Sequence, residues 1–305
     1  MTIHQILKDH WGHDAFRPMQ EDIINSVLDE KDTLALLPTG GGKSICFQVP
    51  ALVKDGICIV VSPLIALMKD QVENLVQRDI KAIAITSVMH KKEIDIALDN
   101  CVYGKIKFLY VSPERLGTEI FRARVLKMNV NLIAVDEAHC ISQWGYDFRP
   151  SYMKITALRE LLPKVPVLAL TATATKEVVR DIQEKLAFKK ENVFRKSFER
   201  KNLAYVVLKD EDKLRRLVRV CSNLRGSGIV YVRNRKKTYE VSEYLRSHNI
   251  TADFYHAGLQ AAVREEKQNN WINNKTRVIV CTNAFGMGID KPDVRFVAHI
   301  DLPDC

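Results

Sequence analysis

Two short stretches bring together residue types that handle phosphate and a divalent cation. In LLPTGGGKS (36–44) the small residues Thr39, Gly40, Gly41 and Gly42 let backbone N–H groups close around phosphate oxygens at a helix N-terminus. Lys43 can then reach β and γ phosphates, and the Ser44 hydroxyl is a hard oxygen suited to Mg2+. The strict P-loop pattern GxxxxGK[ST] has glycine where this chain has Leu37. Further along, NLIAVDEAHC (131–140) closes an apolar run with Asp136 and Glu137. Adjacent carboxylates at a strand end divide the work: Asp136 can hold the cation that bridges two phosphates, and Glu137 can orient and deprotonate a water. Cradle, metal ligand and base together describe attack of water on a nucleoside triphosphate.

Directly after the carboxylates, HCISQWGYDFRPSY (139–152) sets Gln143, Trp144, Tyr146, Phe148, Arg149 and Tyr152 in a polar stretch with neither helical nor strand period, so these aromatics are expected outside the core. Ring faces and a guanidinium in a loop suit stacking on unpaired bases. LALTATAT (168–175) places the hydroxyls of Thr171 and Thr173 at another strand end. VVSPLIALMKDQ (60–71) and YVSPERL (110–116) are strand-to-helix turns in which Ser62, before Pro63, and Ser112 read by residue type alone as helix caps.

Such groups need strands that end together. Short β-branched runs between amphipathic stretches supply them: TLALL (33–37), GICIVV (56–61), KAIAIT (81–86), KFLYV (107–111), NLIAVD (131–136) and PVLALT (166–171). This alternation predicts parallel sheets covered on both faces. Leu64, Leu67, Met68, Val72 and Leu75 recur at the helical period and are expected to pack on the sheet. The charged, aperiodic KKENVFRKSFERKNL (189–203) reads as a linker between domains 1–198 and 199–305. The rhythm resumes with LAYVVL (203–208), GIVYV (228–232), TADFY (251–255), RVIVCT (277–282) and VRFVAHI (294–300). DLPDC then comes after a strand with no closing helix, and a second domain incomplete at its C-terminus is expected.

Composition narrows the class. With 305 residues, 47% hydrophobic and 27% charged, the chain is long and apolar enough for two globular cores, which excludes a disordered or collagen-like protein. Seven scattered cysteines without a CxxC pair predict no disulfide framework and suit a reducing compartment. No apolar run approaches the roughly 20 residues of a membrane span, so a soluble, cytoplasmic protein is expected. Residues 199–305 hold 19 basic against 13 acidic residues, most of the net +9, a balance that favours a polyanionic partner.

From end to end, the chain resembles the RecQ family of superfamily 2 DNA helicases. The likeness rests on FRPMQ (16–20), the P-loop, the DEAH word (136–139), SQWGYDFRP (142–150), GIVYVRNRK (228–236), YHAGL (255–259) and VIVCTNAFGMGIDKPDVRFV (278–297). The resemblance implies two tandem RecA-like parallel-sheet domains of the P-loop NTPase class, an ATP-binding domain over 1–198 and a helicase C-terminal domain over 199–305. Gln20 would read the adenine edge, Arg17 would support it, and His13, where the family usually has tyrosine, would stack on the base. Lys43, Asp136 and Glu137 would be catalytic, with Mg2+ on Ser44 and Asp136. Ser62, Pro63 and Ser112 would grip the phosphates of one DNA strand, and the loop with Gln143, Trp144, Phe148 and Arg149 would couple that strand to the ATP site. Thr171 and Thr173 would link the two sites, Arg233 and Thr282 would meet DNA, and Gly288 and Asp290 would face a nucleotide bound between the domains.

The partners so implied are ATP and single-stranded or partly duplex DNA. The protein would be monomeric, act with 3′-to-5′ polarity in repair and recombination, and have a bacterial-type location on the nucleoid. The arginine-finger motif would come after Cys305, as would zinc-binding and winged-helix parts, so weakened hydrolysis and unwinding are expected. Two rivals stand beside this reading: a nucleotide-gated DNA-binding fragment without catalysis, and an RNA helicase of the same superfamily, in which SQWGYDFRP is not expected.

Overall fold

Val, Ile and Leu on both faces of a short run can be buried only between two helical layers, and the apolar runs of the first half fold accordingly. The computed structural model describes residues 1–38, 40–86, 89–145, 147–197, 202–286, 289 and 291–301. The chain divides into two units, Met1–Lys201 and Asn202–Cys305. In the first, β1 (Thr33–Leu36), β2 (Ile57–Val61), β3 (Ala82–Ile85), β4 (Phe108–Val111), β5 (Val130–Val135), β6 (Val167–Thr171) and β7 (Val193–Arg195) pair in the order β3-β4-β2-β5-β6-β1-β7. Every pairing is parallel.

Strand alternation splits the core into two layers. Leu34, Ile59, Ile133 and Ala169 point to one face, while Ala35, Val60, Ala134 and Leu168 point to the other. The helix Ile65–Val76 packs Met68, Val72 and Leu75 on the second layer, as its period predicts. Because the strands are parallel, the segments leaving β4, β2, β5, β6 and β1 emerge side by side along one edge. Ser112, Ser62, Asp136, Thr171 and the turn after Leu36 occur there in that spatial order.

A buried polar network closes the opposite edge. Asp32 accepts from Arg159 Nη2 at 2.9 and 2.7 Å and from the N–H groups of Val167 (3.0 Å) and Lys189 (3.2 Å). The Asn192 amide donates to Ser26, Thr33 and the Asp32 carbonyl. These bonds correct the sequence reading of 189–203 as linker throughout: they pin the backbone beside β1, so Val193–Arg195 joins the sheet as β7.

The second unit holds β8 (Ser227–Tyr231), β9 (Ala252–Tyr255), β10 (Val278–Cys281) and β11 (Val294–His299), parallel in the order β11-β8-β10-β9. Leu217 and Cys221 of the helix Lys213–Asn223 cover one face, and Tyr255, Trp271 and Phe285 fill the other. LAYVVL (203–208), expected as a strand, is not one. Tyr205 and Val207 are 86% and 89% exposed, and among the described residues the run pairs with no strand. β-branched residues favour a strand only where a neighbour and a covered face receive them.

Cys46, Cys58, Cys101, Cys140, Cys221 and Cys281 are buried and free. Burial pushes the thiols of Cys46, Cys101 and Cys140 up to about 12 and that of Cys221 to about 11. Among the described residues no helix is long and apolar enough to cross a membrane.

Candidate functional site

The turn between β1 and the helix Ile45–Val53 depends on glycine. Gly40 and Gly42 have φ of +74° and +76°, and a Cβ on Gly42 would overlap Gln20 Nε2. Ser44 holds the N-cap position of that helix, yet its side chain makes no capping bond, which leaves the hydroxyl to a ligand. Thr39 lies outside the described residues.

The residues expected to read the base hold this turn. Gln20 Oε1 accepts from the Arg17 N–H at 2.8 Å, and Gln20 Nε2 donates to the carbonyls of Gly42 (3.0 Å) and Gly41 (3.4 Å). Arg17 Nη1 donates to the Gly40 carbonyl at 2.6 Å. His13, Arg17, Gln20 and Gly42 line one cavity of about 360 Å³ with Leu7 and Ile45 at its apolar side. The family resemblance implies a base contact for these residues and gives no sign that they brace the glycine turn.

Asp136 sits just past β5 and is buried; its N–H donates to the Val61 carbonyl at 2.9 Å and its Oδ1 accepts from the Glu137 N–H at 3.0 Å. Glu137 has φ +47°, a left-handed backbone that a side chain disfavours and that surrounding bonds must hold. Burial, then repulsion from Glu137, pushes the Asp136 carboxyl up to about 6, with Lys43 pulling the other way. A buried carboxylate short of positive charge, together with the uncommitted Ser44 hydroxyl, offers the hard oxygens that Mg2+ prefers, so the residues fit that ion.

His139 fixes the other side of the turn. Its Nδ1 lies 2.8 Å from Thr171 Oγ1 and 3.3 Å from Glu137 Oε2. Burial pushes this imidazole down from its ordinary range, against the pull of Asp147, and so favours its neutral, hydrogen-bonding form. Thr171 is itself buried and donates to the Thr173 carbonyl at 3.1 Å, whereas the Thr173 side chain is exposed.

Neither expected serine cap forms. Ser62 is buried with its Oγ unpartnered, and Ser112 makes no capping bond to the turn Pro113–Gly117. Pro63 and Ser112 instead line a shared groove of about 350 Å³ with Ile65, Arg115 and Thr118. Arg149 ties the aromatic loop to this groove: Nη1 donates to the Pro63 carbonyl at 3.4 Å, and Nη2 meets Asp147 Oδ2 at 3.0 Å. Within the loop Gln143 is exposed, Trp144 is 77% exposed and Phe148 is half-buried. Tyr146 lies outside the described residues. Tyr152 corrects the expectation that all these aromatics avoid the core. Pro150–Met153 turns back as a 3-10 helix, and the Tyr152 ring is fully buried with its hydroxyl donating to the Asp136 carbonyl at 2.9 Å.

In the second unit Arg233 and Thr282 lie just beyond the adjacent strands β8 and β10, joined there by the Val232 N–H on the Cys281 carbonyl at 2.9 Å. Arg233 is exposed, with its N–H on Asp301 Oδ2 at 3.1 Å. Gly288 and Asp290 lie outside the described residues.

Residues 17–182 match the DEAD/DEAH box helicase family, and residues 211–305 match the helicase conserved C-terminal domain. The chain is 44% identical over 306 residues to the probable ATP-dependent DNA helicase RecS of Bacillus subtilis, which covers 99% of this chain and 61% of that protein. It is 46% identical over 302 residues to the ATP-dependent DNA helicase RecQ of the same organism, covering 98% and 51%. Among solved structures, the helicase MrfA bound to DNA and AMPPNP matches with a TM-score of 0.77 at 14% identity, over 99% of this chain and 46% of that one. That likeness concerns the fold of two parallel-sheet domains. The chain spans about half the length of the curated relatives it matches.

Proposed function

Because the chain belongs to the DEAD/DEAH box helicase family and is of RecQ type, we propose that it is the motor portion of an ATP-dependent DNA helicase. In this reading residues 1–198 bind and hydrolyse ATP, residues 199–305 form the C-terminal motor domain, and movement along single-stranded DNA runs 3′ to 5′ in repair and recombination. One observation carries it: a single sheet edge aligns the phosphate turn, the carboxylate pair, the Thr171 link, and Ser62 and Ser112 beside the groove that Pro63 and Ser112 line.

The glycine turn and Lys43 take the phosphates, and the cavity beside His13, Arg17 and Gln20 takes the base. Mg2+, when bound at Asp136 and Ser44, supplies positive charge against the phosphate oxygens. Glu137 accepts a proton from the attacking water, with His139 and Thr171 fixing its direction. Trp144 and Phe148 stack on unpaired bases, Ser62, Pro63 and Ser112 meet the phosphates, and Arg233 and Thr282 hold the same strand from the second unit.

Phosphate release with Mg2+-ATP, measured with and without single-stranded DNA, tests the reading. DNA is expected to raise release roughly tenfold or more, and Lys43→Ala to remove it. Release that survives Lys43→Ala would overturn the site. A chain that releases no phosphate while ATP still alters its DNA affinity would be a nucleotide-gated binding module.

A further inference from the structure

The peptide joining Asp136 to Glu137 is held from both sides. Its N–H donates to Asp136 Oδ1 at 3.0 Å, and its carbonyl accepts the Tyr152 hydroxyl at 2.9 Å. Immediately beyond it the backbone enters the left-handed region at Glu137. The orientation of one peptide plane thus sets both a metal-ligand candidate and the candidate base, and Tyr152 is the only side chain outside the turn seen to bond that carbonyl among the described residues.

Tyr152 is equally well tied to the aromatic loop. Its N–H donates to the Arg149 carbonyl at 2.9 Å, and the Arg149 N–H donates to the Cys140 carbonyl at 2.9 Å, so backbone bonds close the base of the loop at the residue to which Tyr152 is attached. The Arg149 guanidinium reaches out to Asp147 and to the Pro63 carbonyl in the groove. The Tyr152 ring is packed in the core cluster of Ile141 and Ile155, which makes it a stiff connector. A bound strand that displaced Arg149 would act on the backbone bond between Arg149 and Tyr152, and through the packed ring on the phenol oxygen that holds the Asp136 carbonyl.

Resting on the reading of the loop as a DNA contact, we propose that Tyr152 is a positioning residue that passes occupancy of the strand-binding loop to Asp136 and Glu137 through its hydroxyl. The ring and the hydroxyl are separable, because Tyr152→Phe keeps the packing and deletes one bond.

The test is a thermodynamic box. The affinity of a fluorescent Mg2+-ATP analogue is measured with and without single-stranded DNA, and DNA affinity with and without the analogue, in wild type and Tyr152→Phe. Each ligand alone is expected to bind the variant within about threefold of wild type, and the thermal midpoint to stay close. The factor by which one ligand improves the other is expected to fall at least about fivefold, toward one. Arg149→Lys combined with Tyr152→Phe should lose no more coupling than Tyr152→Phe alone, since both lie on one route. Coupling that persists in Tyr152→Phe overturns the proposal. Should that variant lose its fold, Arg149→Lys leaves Tyr152 in the core and loosens the hold on Asp147 and Pro63; lost coupling is then expected, and retained coupling is again decisive against it. A wild-type chain that binds neither ligand fails at the level of the proposed function instead.

Discussion

The carboxylate turn at 136–139 and the aromatic loop at 143–149 adjoin in sequence and differ in almost every physical respect. The turn is buried and cross-linked: Asp136 to the Glu137 N–H, His139 to Thr171, Tyr152 to the Asp136 carbonyl. In the loop Trp144 is open to solvent, and Arg149 rests on a carboxylate that is itself partly exposed. The contrast reflects the task of each. Groups that stabilise a reaction are most effective when already fixed, since reorienting them during the reaction costs free energy. Groups that grip a polymer in steps must engage and release it, so lasting bonds to the protein would work against them.

Perturbing the turn should give the largest effects. In the neighbouring glycine turn on the same sheet edge, Lys43→Ala is expected to abolish phosphate release in a steady-state assay, because Lys43 is the side-chain cation of the P-loop pattern that reaches the β and γ phosphates. Glu137→Gln should lower single-turnover release by roughly 10²- to 10⁴-fold while nucleotide binding persists; undiminished release would place the base elsewhere. The loop should respond more mildly and more selectively. Trp144→Ala is expected to weaken single-stranded DNA binding about tenfold, as loss of one stacked base implies, and to reduce DNA-stimulated release more than DNA-free release. Equal losses in both would erase the distinction between loop and turn. Smallest of all, Asp147→Asn should free the Arg149 guanidinium and tighten DNA binding by about two- to threefold, with the salt dependence steepened by roughly one phosphate contact. A titration of DNA affinity against salt measures both quantities.

Sequence revealed the strands and the edge they create wherever an apolar run could be buried on both faces, as in TLALL and NLIAVD. It misled where partners decide the outcome. LAYVVL has strand composition but, among the described residues, no neighbour to pair with, whereas VFR, flanked by charge, becomes β7 because Asp32 and Asn192 anchor its approach. The site obeyed the same rule. Lys43, Asp136 and Glu137 declare themselves by residue type at a strand end, but bonds from side chains to distant carbonyls leave no pattern in a sequence. Gln20 on Gly42 and Tyr152 on Asp136 are of that kind, and the Pro-led turn after Arg149 was the one local sign that Tyr152 would fold back.

The six buried thiols among the described residues give the chain a built-in record of its own breathing. In the closed protein the reactive thiolate is suppressed and out of reach, so an alkylating reagent at neutral pH can attack only during an opening. Cys46, Cys58, Cys101 and Cys140 report on the first unit, and Cys221 and Cys281 on the second. Peptide mapping of labelling against time would therefore time the openings around each thiol, and a nucleotide held at the glycine turn should slow the labelling of Cys46, which lies two residues beyond Ser44.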